Sequence, residues 1–211
     1  MPVITFSRQY ASGGSTIARL VAERLGWQLV DNEFLDLVAE QAGLSRKEVE
    51  QREERVPGLA ERLARALAIS SPEVFVATGV PPESRFGTEA ELVRATEAVI
   101  NQAVREEEKL ILVGRGAQAY LAEHRDTLHV YVVAPREAQV QAAAERLGVS
   151  RKEAEDCIDK TDDGRRRYVK THYDRDWEDP VNYHLVINTG VFTYEQAAEL
   201  VVVAARARGW V

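Results

Sequence analysis

Hydrophobic positions along the chain switch between two spacings. Val3-Ile4-Thr5-Phe6, Trp27 to Val30, Leu110 to Val113, Leu128 to Val133 and Leu185-Val186-Ile187 are short, nearly continuous apolar or β-branched runs. Each predicts a strand. Between them the apolar residues fall three and four apart. Ile17, Leu20, Val21 and Leu25 share a helical face that Gly26 ends. Phe34, Leu35, Val38 and Ala39 give another, and Glu89 to Glu108 a long amphipathic one. Ser45 to Ile69 reads as a charged helix broken at Pro57-Gly58, and the proline-bearing Ser70 to Thr88 as irregular. Pro135 opens the next helical stretch, which runs to about Tyr173, and Thr193 to Arg208 closes the chain. Ser-Arg-Lys-Glu occurs at 45–48 and again at 150–153. Both fit a capping box, in which serine and glutamate each satisfy an orphan backbone donor, so the repeat marks two helix starts.

Apolar strands separated by helices predict a parallel sheet covered on both faces, a three-layer α/β domain. Two segments, about 36–95 and 150–180, are too helical and polar for simple crossovers and read as inserts. With 211 residues, 45% of them hydrophobic, the chain is long enough for one domain with its own core. Lys and Arg number 27 against 34 Asp and Glu, a net charge of −7 that argues against nucleic-acid or anionic-membrane partners. The lone Cys157 excludes a disulfide framework and a thiolate metal cage. His124, His129, His172 and His184 show no paired metal spacing. The longest apolar run, Leu200 to Ala205, is too short for a membrane span, and MPVITF has no basic leader, so a soluble cytoplasmic protein is expected.

Parallel sheets place ligand sites at the carboxyl ends of their strands. Three loops lie there: 8–16, 31–33 and 114–116. The first runs through Ser12-Gly13-Gly14 into a helix start, which turns backbone N–H groups toward an anion or makes a plain turn.

At these residues the chain resembles the cytidylate kinase-like family, within the P-loop nucleoside monophosphate kinases. ITFSRQYASGGSTIARLVAERLGW is similar to the phosphate-loop segment, LVDNEFL to the second-strand motif and LILVGRGA to the substrate-arginine segment. IDKTDDGRRRYVKTHYDRDWEDPVNYHLVINTG is similar to the lid and final strand. The resemblance implies a three-layer P-loop kinase fold in a single domain, 1–211. Its core would be 1–35, 96–149 and 181–211, with a helical substrate-binding insert at about 36–95 and a lid at about 150–180. It implies transfer of the ATP γ-phosphate to (d)CMP with Mg2+, nucleotides as small-molecule partners, and leaves a homo-oligomer open. Two other readings stand beside it: a catalytically weak nucleotide-binding regulatory module, and a P-loop kinase for another small acceptor.

The roles follow from what phosphoryl transfer needs, which is alignment and charge neutralisation. Backbone groups of Ser12, Gly13 and Gly14 cradle the donor phosphates. Ser15 is the magnesium-side hydroxyl with Thr16 beside it, unless both only cap the helix. Asp31 orients the acceptor or a metal-bound water, or caps the helix after it. Arg115, between two glycines, offers a bidentate phosphate contact. Asp162 is read as substrate-binding, and Arg165 and Arg166 as lid cations; an Asp162–Arg166 pair on a plain helical face is the alternative. Aligned on Gly13, the standard G-x-x-x-x-G-K-[ST] loop finds Arg8 at its first glycine and Gly14 at its lysine. Arg8 is therefore the nearest substitute cation, with the lid arginines its rivals and a surface ion pair its alternative.

Overall fold

The structure, a computed structural model, describes residues 1–31, 93, 94, 97, 98, 100, 101, 104, 105 and 109–211. The insert expected at 36–95 therefore lies outside the described residues, apart from Val93 and Arg94, as does the first Ser-Arg-Lys-Glu start. Five strands form one sheet: β1 (Val3–Arg8), β2 (Gln28–Val30), β3 (Leu110–Val113), β4 (Thr127–Val133) and β5 (Leu185–Asn188). All pairings are parallel and the order is β2-β3-β1-β4-β5. The helices are α1 (Gly14–Leu25), the short α2 (Ala117–Tyr120), α3 (Arg136–Leu147), α4 (Arg151–Tyr173) and α5 (Tyr194–Ala207), with a 3-10 turn at Pro180–Asn182. The residues described between 93 and 105 are helical.

Strand alternation sorts the core onto the two faces of the sheet. Ile4 and Phe6 of β1, Ile111 and Val113 of β3, and Val130 and Val132 of β4 pack against Ile17 and Val21 of α1 and Val201 of α5. On the opposite face Val3, Leu110 and Leu112 meet Ile100, Ala117 and Leu121. Both helix-boundary signals operate as expected of their chemistry. Gly26 and Gly148 end α1 and α3 in the left-handed region, at φ 66° and 64°. Ser150 and Glu153 form the capping box of α4, and Thr193 with Gln196 that of α5. Helix α4 continues without a break through Gly164 to Tyr173, 23 residues in all. No helix among the described residues is long and apolar enough to cross a membrane.

Away from the carboxyl ends of the strands, two histidines stack. The His129 and His184 rings are 4.9 Å apart and tilted by 9°. Thr127 Oγ1 donates to His124 O (2.7 Å), so it accepts from His129 Nε2–H (3.2 Å), and His129 Nδ1 accepts from Thr5 Oγ1–H (2.7 Å). The His129 amide donates to His184 Nδ1 at 2.8 Å. Burial, with the neighbouring His184 and Arg175, pulls His129 from its usual 6.5 down to about 4. The unfolded chain takes up this proton at higher pH than the native one. His129 therefore contributes stability in full above pH 6.5, and that contribution, about 3 kcal/mol, is lost as pH falls toward 4. Thermal melts at pH 7 and pH 4.5 should show a steeper loss in the wild type than in His129→Gln. Equal losses would remove His129 as the cause.

Candidate functional site

The turn after β1 is held from three directions. Gln9 N–H donates to Val132 O (3.0 Å), while Gln9 Oε1 accepts from Ala134 N–H (3.0 Å) and Gln139 Nε2 (2.8 Å). The Ser12 hydroxyl donates to Gln9 O (2.8 Å) and approaches Val132 O at 3.2 Å, and the Ser12 amide donates to Gln9 O at 3.3 Å. From just past the end of β5, Thr189 Oγ1 donates to Ser12 O (3.0 Å). Ala11 and Gly13 take positive φ, 58° and 83°, which tightens the turn into α1. Gly13 is the cap residue of α1 and, carrying no side chain, makes no side-chain cap bond. Ser15 and Thr16 follow in that turn, both half-buried. A Cβ on Gly13 would overlap the Tyr194 ring, which lies over the turn.

The turn after β3 is strained. Gly114, Arg115 and Gly116 take φ values of 77°, 59° and 64° in succession. The two glycines adopt this region freely, whereas a left-handed arginine costs about 1–2 kcal/mol. Gly114 N–H donates to Phe6 O (2.8 Å) and Ala117 N–H to Gly114 O (3.1 Å), which anchors the turn on β1 and α2. Gly116 is glycine for a second reason: a Cβ there would come within 2.5 Å of Tyr173 and 3.2 Å of Tyr168. Non-glycine residues held in this region cluster at ligand sites because the fold must over-determine them.

Arg8 joins the two turns. It is 8% exposed. A Cβ on Gly14 would lie 2.5 Å from Arg8 Cβ and 2.9 Å from its Cγ. A Cβ on Gly114 would overlap Arg8 Nη1 and lie 3.3 Å from Cζ. The stem thus crosses the first residue of α1 and the guanidinium rests on the β3 turn. Asp31, just past β2 at the same end of the sheet, is also buried, at 6%.

Helix α4 docks on this ensemble through a buried pair. Asp162 Oδ1 and Oδ2 accept from the Tyr10 amide at 2.9 and 3.1 Å. Arg165 Nη1 donates to Asp162 Oδ1 (2.9 Å) and to Arg8 O (3.1 Å). Burial pushes the Asp162 carboxyl up, and the charges of Arg165 and Arg8 and the Tyr10 amide oppose it. Arg146 sits 4.6 Å above the Tyr10 ring, and burial raises the Tyr10 phenol to about 12. Arg166 faces solvent, bonded through Nε and Nη2 to Glu178 (3.0 and 3.1 Å) and paired with Asp163. The i,i+4 pair Asp162–Arg166 is not what forms; both arginines choose the aspartate three residues back. Tyr168 and Tyr173 lie against the β3 turn, while Trp177 and Tyr183 pack on Tyr131 in the core.

Arg8, Gly13, Gly14, Arg115, Asp162 and Arg165 are thus gathered at one end of the sheet, and Arg166 stands at its outer margin. Pattern reading passes over Gln9, Thr189 and Tyr194. Their partners are set by strand order, and nothing local marks them. Among the described residues no three His, Cys, Asp or Glu side chains converge as metal ligands. The site therefore offers the half-buried hydroxyls of Ser15 and Thr16 in the first turn of α1, beside backbone amides and guanidinium groups. That donor set matches a magnesium-bound polyphosphate, whose oxygens need many donors and whose metal keeps most of its waters.

Solved structures share the architecture. An uncharacterized protein from Eubacterium ventriosum superposes with a TM-score of 0.69 at 18% identity, over 99% of this chain and 100% of that one. Shikimate kinase from Bacteroides thetaiotaomicron gives 0.52 at 12% identity, over 97% and 98%. At such identities the likeness is one of fold, and the fold is that of the P-loop kinases. In sequence, 92 residues are 33% identical to the uronate isomerase of Corynebacterium glutamicum, covering 44% of this chain. The chain spans only 18% of that protein's length. The family model for the cytidylate kinase-like family matches residues 3–191, through every element from β1 to the turn after β5, and the chain belongs to that family.

Proposed function

We propose that this protein is a nucleoside monophosphate kinase that transfers the γ-phosphate of ATP to CMP or dCMP. The observation that carries the reading is the convergence of the β1 and β3 turns on one cation. Arg8 lies along the first residue of α1 and ends at Gly114, while Arg115 emerges from a strained backbone beside it. Two substrates that both carry phosphate need cations between a donor side and an acceptor side.

The first-turn amides of α1, with Gly13 and Gly14, take the donor phosphates at the positive end of the helix dipole. The Ser12 amide and hydroxyl are turned inward, so Ser12 shapes the turn. Ser15, flanked by Thr16, faces the metal side. A magnesium ion bound with ATP would supply charge neutralisation on the polyphosphate. Arg115 grips the acceptor phosphate and Asp31 orients the acceptor. Arg165 and Asp162 hold the turn in shape from α4, and Arg166 reaches the site only by leaving Glu178. The acceptor phosphate is already ionised at neutral pH, so no general base is required.

The deciding experiment is a coupled ADP-release assay over the common nucleoside monophosphates, with shikimate, sugars and nucleosides as controls. CMP or dCMP should raise ADP release well above background. If ATP binds and no acceptor is turned over, the protein is a nucleotide-binding regulatory module. If a non-nucleotide acceptor is preferred, it is a P-loop kinase of another class.

A further inference from the structure

We infer that the phosphate loop of this protein carries its cation at the opposite end from the standard loop, and that Arg8 and Gly14 are one exchange in which each residue requires the other. The inference rests on the nucleotide-kinase reading and specifies which side chain meets the donor phosphates. In G-x-x-x-x-G-K-[ST] the lysine at the sixth step past the first glycine reaches the β- and γ-phosphates. Here arginine occupies the first position and glycine the lysine position.

The geometry shows why both changes come together. A Cβ at position 14 would stand 2.5 Å from Arg8 Cβ and 2.9 Å from Arg8 Cγ. The closer of the two atoms, Cβ, is placed by the backbone of β1, so no rotamer change relieves that contact. Positions 8 and 14 therefore share one volume. A side chain at 14 demands glycine at 8, which is the standard loop. A side chain at 8 demands glycine at 14, which is this one. The volume left by the missing lysine is filled by the Arg8 stem, and Val132 Cβ, 3.6 Å from the same point, closes it from β4.

The cation is delivered to a related place with a different chemistry. Arg8 Nη1 and Cζ lie against Gly114, where a Cβ would collide, so the guanidinium is held between the start of α1 and the β3 turn. Asp162 contributes to its electrostatic surroundings. A planar fork can bond two oxygens at once, whereas a lysine is a single point charge. The exchange places that fork on the path from donor to acceptor.

The test is a double-mutant cycle on the full chain, comparing wild type, Gly14→Lys, Arg8→Gly and the Arg8→Gly/Gly14→Lys double variant. Gly14→Ala in both backgrounds isolates the steric part should the lysine variant not fold. Two readouts are needed: the melting temperature of the free protein, and titration with a non-hydrolysable ATP analogue plus Mg2+. Gly14→Lys and Gly14→Ala should each lower the melting temperature by roughly 5 °C when Arg8 is present, and by far less in the Arg8→Gly background. Arg8→Gly should weaken the analogue at least about tenfold, and the double variant should recover most of that loss. Equal tolerance of Gly14→Ala in both backgrounds overturns the shared volume. Wild-type affinity in Arg8→Gly overturns the exchange of cations while leaving the kinase reading in place. Absence of analogue binding by the wild type itself overturns the kinase reading and, with it, the role given to Arg8.

Discussion

Asp162→Ala is expected to destabilise the protein by about 3–5 kcal/mol, the largest loss of any single change at this end of the sheet. Asp162 and Arg165 are each 8% exposed, and the carboxylate is bonded to both the Arg165 guanidinium and the Tyr10 amide. Alanine leaves a buried cation without this counter-ion and a buried N–H without its acceptor. Both groups then carry desolvation with less in return. Asp162→Asn keeps an oxygen for Tyr10 and Arg165 but removes the charge, so its loss should fall between wild type and alanine. Urea unfolding measures both, with an unchanged slope showing that the same two states are compared. A loss below about 1 kcal/mol in Asp162→Ala would mean that α4 is not fastened through this pair.

At Arg115 the largest effect falls on turnover. Arg115→Ala and Arg115→Gly remove the same guanidinium and should each lower kcat/KM for the acceptor, by a ratio equivalent to about 2–5 kcal/mol of transition-state stabilisation, with donor affinity little changed. The two variants part company in stability. The backbone at 115 is held at φ 59°, where alanine is strained and glycine is not. Arg115→Gly should therefore melt higher than Arg115→Ala, by about 1 kcal/mol in stability. Matched losses of acceptor use with unmatched stabilities would separate the side chain's role from the backbone's. If both variants lose ATP affinity as much as acceptor use, Arg115 belongs to the donor side.

The turns that frame the candidate site are legible in the sequence. Glycines at 13, 14, 114 and 116 bracket positions where strands end, and a strand running into Gly-Arg-Gly can hardly continue as a strand. Arg8 is visible as a cation at the end of the first strand, next to a glycine-bearing turn. Arg165 and Arg166 looked alike, being adjacent in one helix, and nothing local distinguishes them. Helix phase does so only once the helix is docked: Arg165 turns inward to Arg8 O, and Arg166 turns outward to Glu178. The histidines were legible only as lacking a metal spacing, because His129 and His184 belong to neighbouring positions of a sheet and are far apart in the chain.

Among the described residues the sequence by itself determined the strands and the longer helices, while the short α2 and the 3-10 turn at Pro180–Asn182 carry no signal of their own. Periods of two and 3.6 arise from backbone geometry within a few residues, and capping boxes and left-handed glycines act over one helical turn. Ser150 with Glu153 and Gly26 are read from their neighbours alone. Only the tertiary structure decided which elements touch. The order β2-β3-β1-β4-β5 puts β3 beside β1, and so brings Gly114 under Arg8. The same packing carries Asp162 to the Tyr10 amide across 152 positions of chain, and Thr189 to Ser12 O across 177. A hydrophobic pattern states that a face is buried but not against which partner, since burial depends on area and is indifferent to identity. Side-chain volume is likewise a property of a place, so the single space shared by Arg8 and Gly14 exists only in the folded chain.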